Sequence, residues 1–301
     1  MKRRARVTYP YPSMRVLILG AGGMLGHKVW EVFRERFDCR AAMRTRLPLP
    51  LFDDERVIDG FDATNFDAVA RLLAKVEPAV VVNCIGVVKQ LAAAQDPIAS
   101  ITLNSLFPHV VARACAEAGA RMIHISTDCV FAGTRGHYGE DDVPDAADLY
   151  GRSKLLGEVA DGALTIRTSI IGRELRTSNG LVEWFLSNRG GVVRGFTNAI
   201  FSGVTTVTLA RILAAVIEQH PGIHGLYHVA GAPLSKYDLL MMLNAAMGVG
   251  ATIARDDSFV IDRSLDATRF QAATGLQPPE WPELIAALAA ESPRYERWRT
   301  E

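Results

Sequence analysis

The chain has 301 residues, enough for one large α/β domain or two closely packed ones, and 49% of them are hydrophobic, enough for a sizeable core. Lys plus Arg and Asp plus Glu both number 33, so the formal charge is zero and calls for neither nucleic acid nor a membrane surface as partner. No apolar run approaches the ~18 residues of a membrane span, and the four dispersed cysteines (Cys39, Cys84, Cys115, Cys129) contain no Cys-x-x-Cys. Reduced thiols in the cytoplasm are therefore expected, not a disulfide framework.

The opening Lys2-Arg-Arg-Ala-Arg6 lacks the apolar segment of a secretion signal, and Tyr9-Pro-Tyr-Pro12 discourages regular structure. Residues 1–13 are expected to be a disordered extension. Arg15-Val-Leu-Ile-Leu19 then reads as a buried parallel strand, followed by Gly20-Ala-Gly-Gly23-Met-Leu-Gly26 and an amphipathic helix to about Arg36. Strand, glycine turn and helix together form a phosphate-binding unit. Backbone amides approach a pyrophosphate where side chains would block it, and the helix N-terminus favours the anion. A second strand is expected near Cys39-Arg-Ala-Ala-Met43. No acidic residue stands at its end to accept the ribose hydroxyls of NAD. Arg44-Thr-Arg46 stands there, and guanidinium groups suit the 2′-phosphate of NADPH, with NADH as the alternative.

Val57-Ile-Asp-Gly-Phe-Asp62 reads as a third strand, and Ala79-Val-Val-Val-Asn-Cys84 as a fourth that ends in Asn83-Cys-Ile-Gly86. Helical spacing over 96–118 carries Asn104 as a polar break on an apolar face, where a buried amide can bond a carbonyl. Arg121-Met-Ile-His-Ile-Ser-Thr127 is a fifth strand whose end, Ser126-Thr127-Asp128, sets hydroxyls and a carboxylate where open α/β sheets bind ligands. A helix then carries Tyr150 and Lys154, four apart and so on one face. The ammonium is expected to pull the phenol below its ordinary value of about 10, towards acid–base work. Ala163-Leu-Thr-Ile-Arg-Thr168 completes six strands alternating with helices, the pattern of a doubly wound parallel sheet of Rossmann type.

The remainder reads as a short apolar helix at 181–186, a helix from Val204 to about Glu218, a strand at Gly225–Val229 and a helix capped by Ser235. The expected division is a dinucleotide-binding domain over 14–170 and a substrate-binding cap over 171–301, with some segments returning to the core. Seven scattered histidines and solvated Asp-Asp pairs offer no metal site.

The glycine turn, Asn83-Cys-Ile-Gly86, Ser126-Thr-Asp-Cys-Val-Phe131, Tyr150-Gly-Arg-Ser-Lys154, Arg167-Thr-Ser169 and Leu265-Asp-Ala-Thr-Arg269 occur in this order from Met14 onwards. In this the chain resembles the extended short-chain dehydrogenase/reductases, and within them the dTDP-4-dehydrorhamnose reductases and related nucleotide-sugar 4-ketoreductases. The resemblance implies NADPH-dependent reduction of the 4-keto group of a nucleotide-linked 4-keto-6-deoxy sugar, for deoxysugar supply to surface polysaccharide or glycoconjugate. It implies Thr127, Tyr150 and Lys154 as the catalytic set, with Asp128 assisting at the substrate. Cofactor contacts are implied at Gly20, Gly23, Met24, Leu25, Gly26, Arg44, Asp62, Ala63, Cys84, Ile85, Gly86, Asn104, Tyr150 and Lys154. Substrate contacts are implied at Val87, Asp128, Trp184, Phe196 and Thr205. A nucleotide sugar is the implied partner, and a homodimer stays open.

Two positions depart from the family pattern. Gly-Ser-Pro-Thr in the cap is Ser202-Gly-Val-Thr205 here, and the aromatic after the Arg-Thr-Ser strand is Ile170 or Ile171. Other functions remain in view. A dehydratase would need Glu where Cys129 stands. A nucleotide-sugar epimerase would consume no NADPH, and a non-catalytic dinucleotide-binding regulatory subunit would be expected to lose part of the catalytic set.

Overall fold

The computed structural model describes residues 14–89 and 92–300; the tail expected at 1–13 lies outside them. β1 (Arg15–Leu19) turns through the glycines into α1 (Gly26–Phe33), and β2 (Asp38–Ala42), β3 (Val57–Ile58), α2 (Asp67–Val76) and β4 (Val80–Asn83) follow. α3 (Pro97–Ser100) passes through a π-helical segment (Ile101–Leu106) into α4 (Phe107–Ala118), and then come β5 (Arg121–Ile125), α5 (Leu149–Leu156) and β6 (Ala163–Arg167). The cap region adds β7 (Ile170–Ile171), α6 (Leu181–Leu186), β8 (Val192–Phe196), β9 (Ala199–Phe201), β10 (Val204–Thr205) and α7 (Thr206–Gln219). The chain closes with β11 (Gly225–His228), β12 (Leu234–Ser235), α8 (Lys236–Met247), β13 (Thr252–Asp256), β14 (Ile261–Asp262), α9 (Thr268–Thr274) and α10 (Trp281–Thr300).

Seven strands form one sheet in the order β11-β6-β5-β4-β1-β2-β3, and every pairing in it is parallel. Near-continuous Val, Ile and Leu runs suit strands buried on both faces. One face packs on α1, α7 and the far end of α10 through Trp30, Phe33, Leu209, Leu213, Tyr295 and Trp298. The other packs on α2 and α4 through Leu72, Leu73, Phe107 and Val111.

Residues after 171 divide between two places. The strand expected at 225–229 becomes β11 and extends the large sheet beside β6. Others gather around an apolar cluster of their own, including Val182, Phe185, Leu239, Leu243, Trp281 and Leu284. Three small sheets, β7 with β10, β8 with β13, and β9 between β12 and β14, brace that cluster. The helix expected over 96–118 is interrupted by the π segment that carries Asn104. Among the described residues no helix is long and apolar enough to cross a membrane, and no His/Cys/Asp/Glu cluster could hold a metal ion.

Three imidazoles are fully buried. Burial pushes His27 and His228 down to about 4, and His124 well below the ordinary value. The unfolded chain protonates each near 6.5, so between about 6.5 and 4 the unfolded state holds more protons and stability falls as pH drops. Partly buried Asp128 and Glu140, both raised chiefly by desolvation, work the other way but are fewer. The urea midpoint should therefore be clearly lower at pH 5 than at pH 7. An equal midpoint at both would show that these imidazoles take up protons without cost in the fold.

Candidate active site

Parallel strands all end on one edge, and a cleft of about 860 Å³ opens there. The glycine turn after β1, the loop after β4, the end of β5 and the segment after β6 form one side. The cap supplies the other, with Ile200, Phe201, Lys236, Phe259 and Arg263.

The glycine turn is sterically specified. Gly20 has φ +86°, and a Cβ there would come 2.8 Å from the Ile85 side chain. At Gly26 a Cβ would lie 2.1 Å from the Gly20 carbonyl oxygen, so α1 can start against the turn only with glycine. Gly22, Gly23 and Met24 face the cleft, whereas Leu25 is buried in the core below.

Asp148 caps α5 by accepting from the Gly151 N–H at 2.8 Å, which fixes the first turn that carries Tyr150. Thr127 Oγ1 accepts from Cys129 N–H at 3.1 Å and donates to Asp128 Oδ1 at 3.0 Å. The Tyr150 phenol stands close enough to Thr127 for that hydroxyl to act on its proton, so hydroxyl, phenol and carboxyl form one group. Lys154 is buried, donates to the Ile125 carbonyl at 2.8 Å, and has Nζ 3.7 Å from where a Gly86 Cβ would stand. Burial brings its ammonium down to about 8.

Burial moves the phenol opposite to the expectation. Desolvation pushes Tyr150 above its ordinary value, with Cys129, Asp128 and Asp148 adding to it and the nearby Thr127 hydroxyl opposing. The spacing does set Tyr150 and Lys154 on one helix, but the ammonium head is turned to a β5 carbonyl and does not lower the phenol. Tyr150 is thus held protonated, the form a proton donor needs. Asp128 is also raised, mainly by burial, with Arg263 and Lys236 pulling it back. Cys84 and Cys129 are pushed up to about 12 and stay thiols.

Several expected contacts find other work. Arg46 donates to the carbonyls of Phe52 (3.2 Å) and Val57 (2.5 Å) and fastens its own loop, while Arg44 is exposed with no hydrogen bond from its guanidinium among the described residues. Asp62 accepts from the Thr64 N–H and hydroxyl in a local turn, and Ala63 is buried in the core. Asn104 does not line the cleft. It holds both backbone groups of Val87 and reaches Ser153 at 3.1 Å, which makes it the brace of the Gly86–Val87 wall.

Cys84 and Ile85 form the partly buried floor of that wall. Thr205 is a helix cap, buried and bonded to Thr208, because α7 begins there. Trp184 stands exposed on α6 outside the cleft lining. Phe196 lies behind Phe259, centroids 5.3 Å apart, and it is Phe259 that faces the cleft.

Lys236 and Arg263 were not anticipated. Lys236 is the first residue of α8, 5.7 Å over the Phe201 ring, and forms no ion pair among the described residues. Arg263 donates to the Phe131 carbonyl at 2.7 Å and approaches Cys129 Sγ at 3.9 Å. The available signals were a lone lysine just after the Ser235 cap, and an arginine two residues ahead of the Leu265 motif.

A family profile described as RmlD substrate binding domain matches residues 14–293. The chain is 28% identical over 304 residues to methionine adenosyltransferase 2 subunit beta of Mus musculus, covering 91% of this chain and 89% of that one. It is 32% identical over 238 residues to a probable dTDP-4,6-dihydroxy-2-methyloxan-3-one 4-ketoreductase of Streptomyces antibioticus, covering 75% of each. The crystal structure of dTDP-4-dehydrorhamnose reductase from Bacillus anthracis in complex with NADP superposes with a TM-score of 0.78 at 22% identity, over 92% of this chain and 99% of that one. At that identity the likeness shows the fold. With the profile spanning nearly the whole described chain, this protein belongs to the RmlD substrate binding domain family of extended short-chain dehydrogenase/reductases.

Proposed function

We propose that this protein is an NADPH-dependent reductase of the 4-keto group of a nucleotide-linked 4-keto-6-deoxy sugar. One observation carries the reading: Tyr150 and Thr127 stand close together behind Asp128, which lines the cleft that also holds the glycine turn. The residues fit a dinucleotide, because Gly22 leaves open space above the turn and the Met24 N–H has no partner among the described residues. Bound reduced nicotinamide supplies the hydride.

The chain's own groups handle the charge that follows. Thr127 turns its one hydroxyl proton from Asp128 to the carbonyl oxygen as negative charge builds there. Tyr150, protonated at neutral pH, passes its proton to that oxygen. Lys154, at the Gly86 wall, supports ribose hydroxyls with its ammonium donors. Asp128 accepts from a substrate hydroxyl. The apolar cap wall of Ile200, Phe201 and Phe259 suits a 6-deoxy sugar, which carries a methyl group where others carry a hydroxyl. Similarity to the Streptomyces ketoreductase supports the same substrate class.

A second reading is favoured by the 28% identity to methionine adenosyltransferase 2 subunit beta: a dinucleotide-binding subunit that acts through a partner enzyme. Turnover separates the two. Purified protein with NADPH and a panel of dTDP- and UDP-linked 4-keto-6-deoxy sugars should oxidise NADPH in step with sugar reduction. Tyr150→Phe should keep cofactor binding and lose on the order of 10²–10⁴-fold in rate. NADPH binding without turnover on any member would favour the subunit. Sugar isomerisation without NADPH loss would favour an epimerase.

Cofactor choice rests on Arg44 alone, given how Arg46 is engaged. Arg44→Ala should raise the KM for NADPH roughly tenfold more than for NADH, the worth of one charge-assisted contact. Arg46→Ala should lower stability by about 1 kcal/mol and leave the NADPH-to-NADH ratio unchanged. A ratio that moves only with Arg46 would reverse these roles.

A further inference from the structure

The glycine turn has a partner at the opposite end of the chain. His27 is fully buried in the first turn of α1, with Nδ1 2.8 Å from the Gly23 carbonyl oxygen and Nε2 2.6 Å from the Tyr295 hydroxyl on α10. A carbonyl oxygen can only accept, so Nδ1 must carry the proton. In a neutral ring Nε2 is then a lone pair, and the Tyr295 hydroxyl donates to it. Burial keeps the imidazole neutral at ordinary pH, lowering it to about 4.

The Gly23 carbonyl also accepts from the His27 backbone N–H at 3.1 Å. Two hydrogen bonds from one residue therefore hold this carbonyl towards the interior of α1. In a trans peptide the C=O and the following N–H point in opposite directions. Fixing the Gly23 carbonyl inward turns the Met24 N–H outward, and both residues border the cleft.

Tyr295 is itself held firmly. Its ring lies under Arg173 (5.1 Å) and Lys28 (5.2 Å), and packs edge-on against Trp298. Lys28 joins Glu31 at 2.7 Å and Glu291 at 2.8 Å, tying α1 to α10. None of these groups borders the cleft.

We propose that His27 is a positioning residue for dinucleotide binding: with its Nε2 lone pair satisfied by Tyr295, it fixes the Gly23–Met24 peptide so that the Met24 N–H meets the cofactor's diphosphate. The inference rests on the reading that the cleft takes a dinucleotide. It assigns part of that binding to two residues that never touch the ligand.

Side-chain mimicry tests it. The His27→Asn change offers an amide donor near the Nδ1 position and keeps the Gly23 contact; the longer amide of His27→Gln reaches towards Tyr295 and loses it. NADPH affinity, measured by fluorescence titration, should fall roughly tenfold in His27→Gln and no more than about threefold in His27→Asn. Melting temperatures of both variants separate this from a general loss of stability, which would follow the melting temperature and not the donor position. Tyr295→Phe, which removes only the hydroxyl that donates to Nε2 and so leaves a buried lone pair that the ring can relieve by turning from Gly23, should weaken NADPH severalfold with its packing retained. Equal NADPH affinity in His27→Gln and His27→Asn, or an unchanged affinity in Tyr295→Phe, overturns the positioning role. A wild-type protein that binds neither NADPH nor NADH overturns the dinucleotide reading itself, and the positioning role with it.

Discussion

Parallel strands can be left only at one edge, and this constraint organises the molecule. From β1 the chain winds outward through β2 and β3, and then crosses back to β4 on the other side of β1. The loops after β1 and β4 leave in opposite senses, and a crevice opens between them. Gly22–Met24, Gly86, Asp128 and the segment after β6 all border that crevice because each follows a strand end. The cap then needs only to cover the edge, and its three small sheets and apolar cluster give it the stiffness to do so.

Features decided by local sequence could be read before any coordinates. Val and Ile runs between glycine turns announce buried parallel strands, and Ser235 or Asp148 ahead of a helix announces a cap. What could not be read is which distant group would claim a polar side chain. Arg46 has the right charge near the right strand, but carbonyls 6 and 11 residues away take its guanidinium. Asn104 has the right burial, yet the Val87 backbone uses its amide. The phenol departs from expectation for a related reason. Spacing on a helix fixes the face of Lys154 but not the aim of a four-carbon chain, and the Ile125 carbonyl captured its head. Lys236 and Arg263 come from elements more than a hundred residues after Asp128 in the sequence, and no periodicity could have linked them to it.

Burial without neutralisation is the common state of the site's titratable groups. Asp128 and Tyr150 are raised and Lys154 is lowered, each with desolvation as the first cause. A cleft of this kind discourages every charged form at once. Moving a charge into it, whether a substrate's or a developing oxyanion, is favourable only where fixed dipoles and donors already wait. The group of Thr127, Tyr150 and Asp128 is such an arrangement, and the thiols beside it, held protonated, do not compete for the proton.

The contact between His27 and Tyr295 spans 268 positions in the chain. During synthesis the first strand, glycine turn and α1 leave the ribosome long before α10 exists, and the sheet can begin to pair without it. The imidazole meanwhile has no hydroxyl to meet its Nε2 and no helix to exclude water from it. It therefore exchanges protons freely in the nascent chain. Only when residue 295 has emerged and docked does the turn acquire its final hydrogen bonds. In a molecule that closes its first loop with its last helix, the shape of that loop is settled only when the whole chain is present.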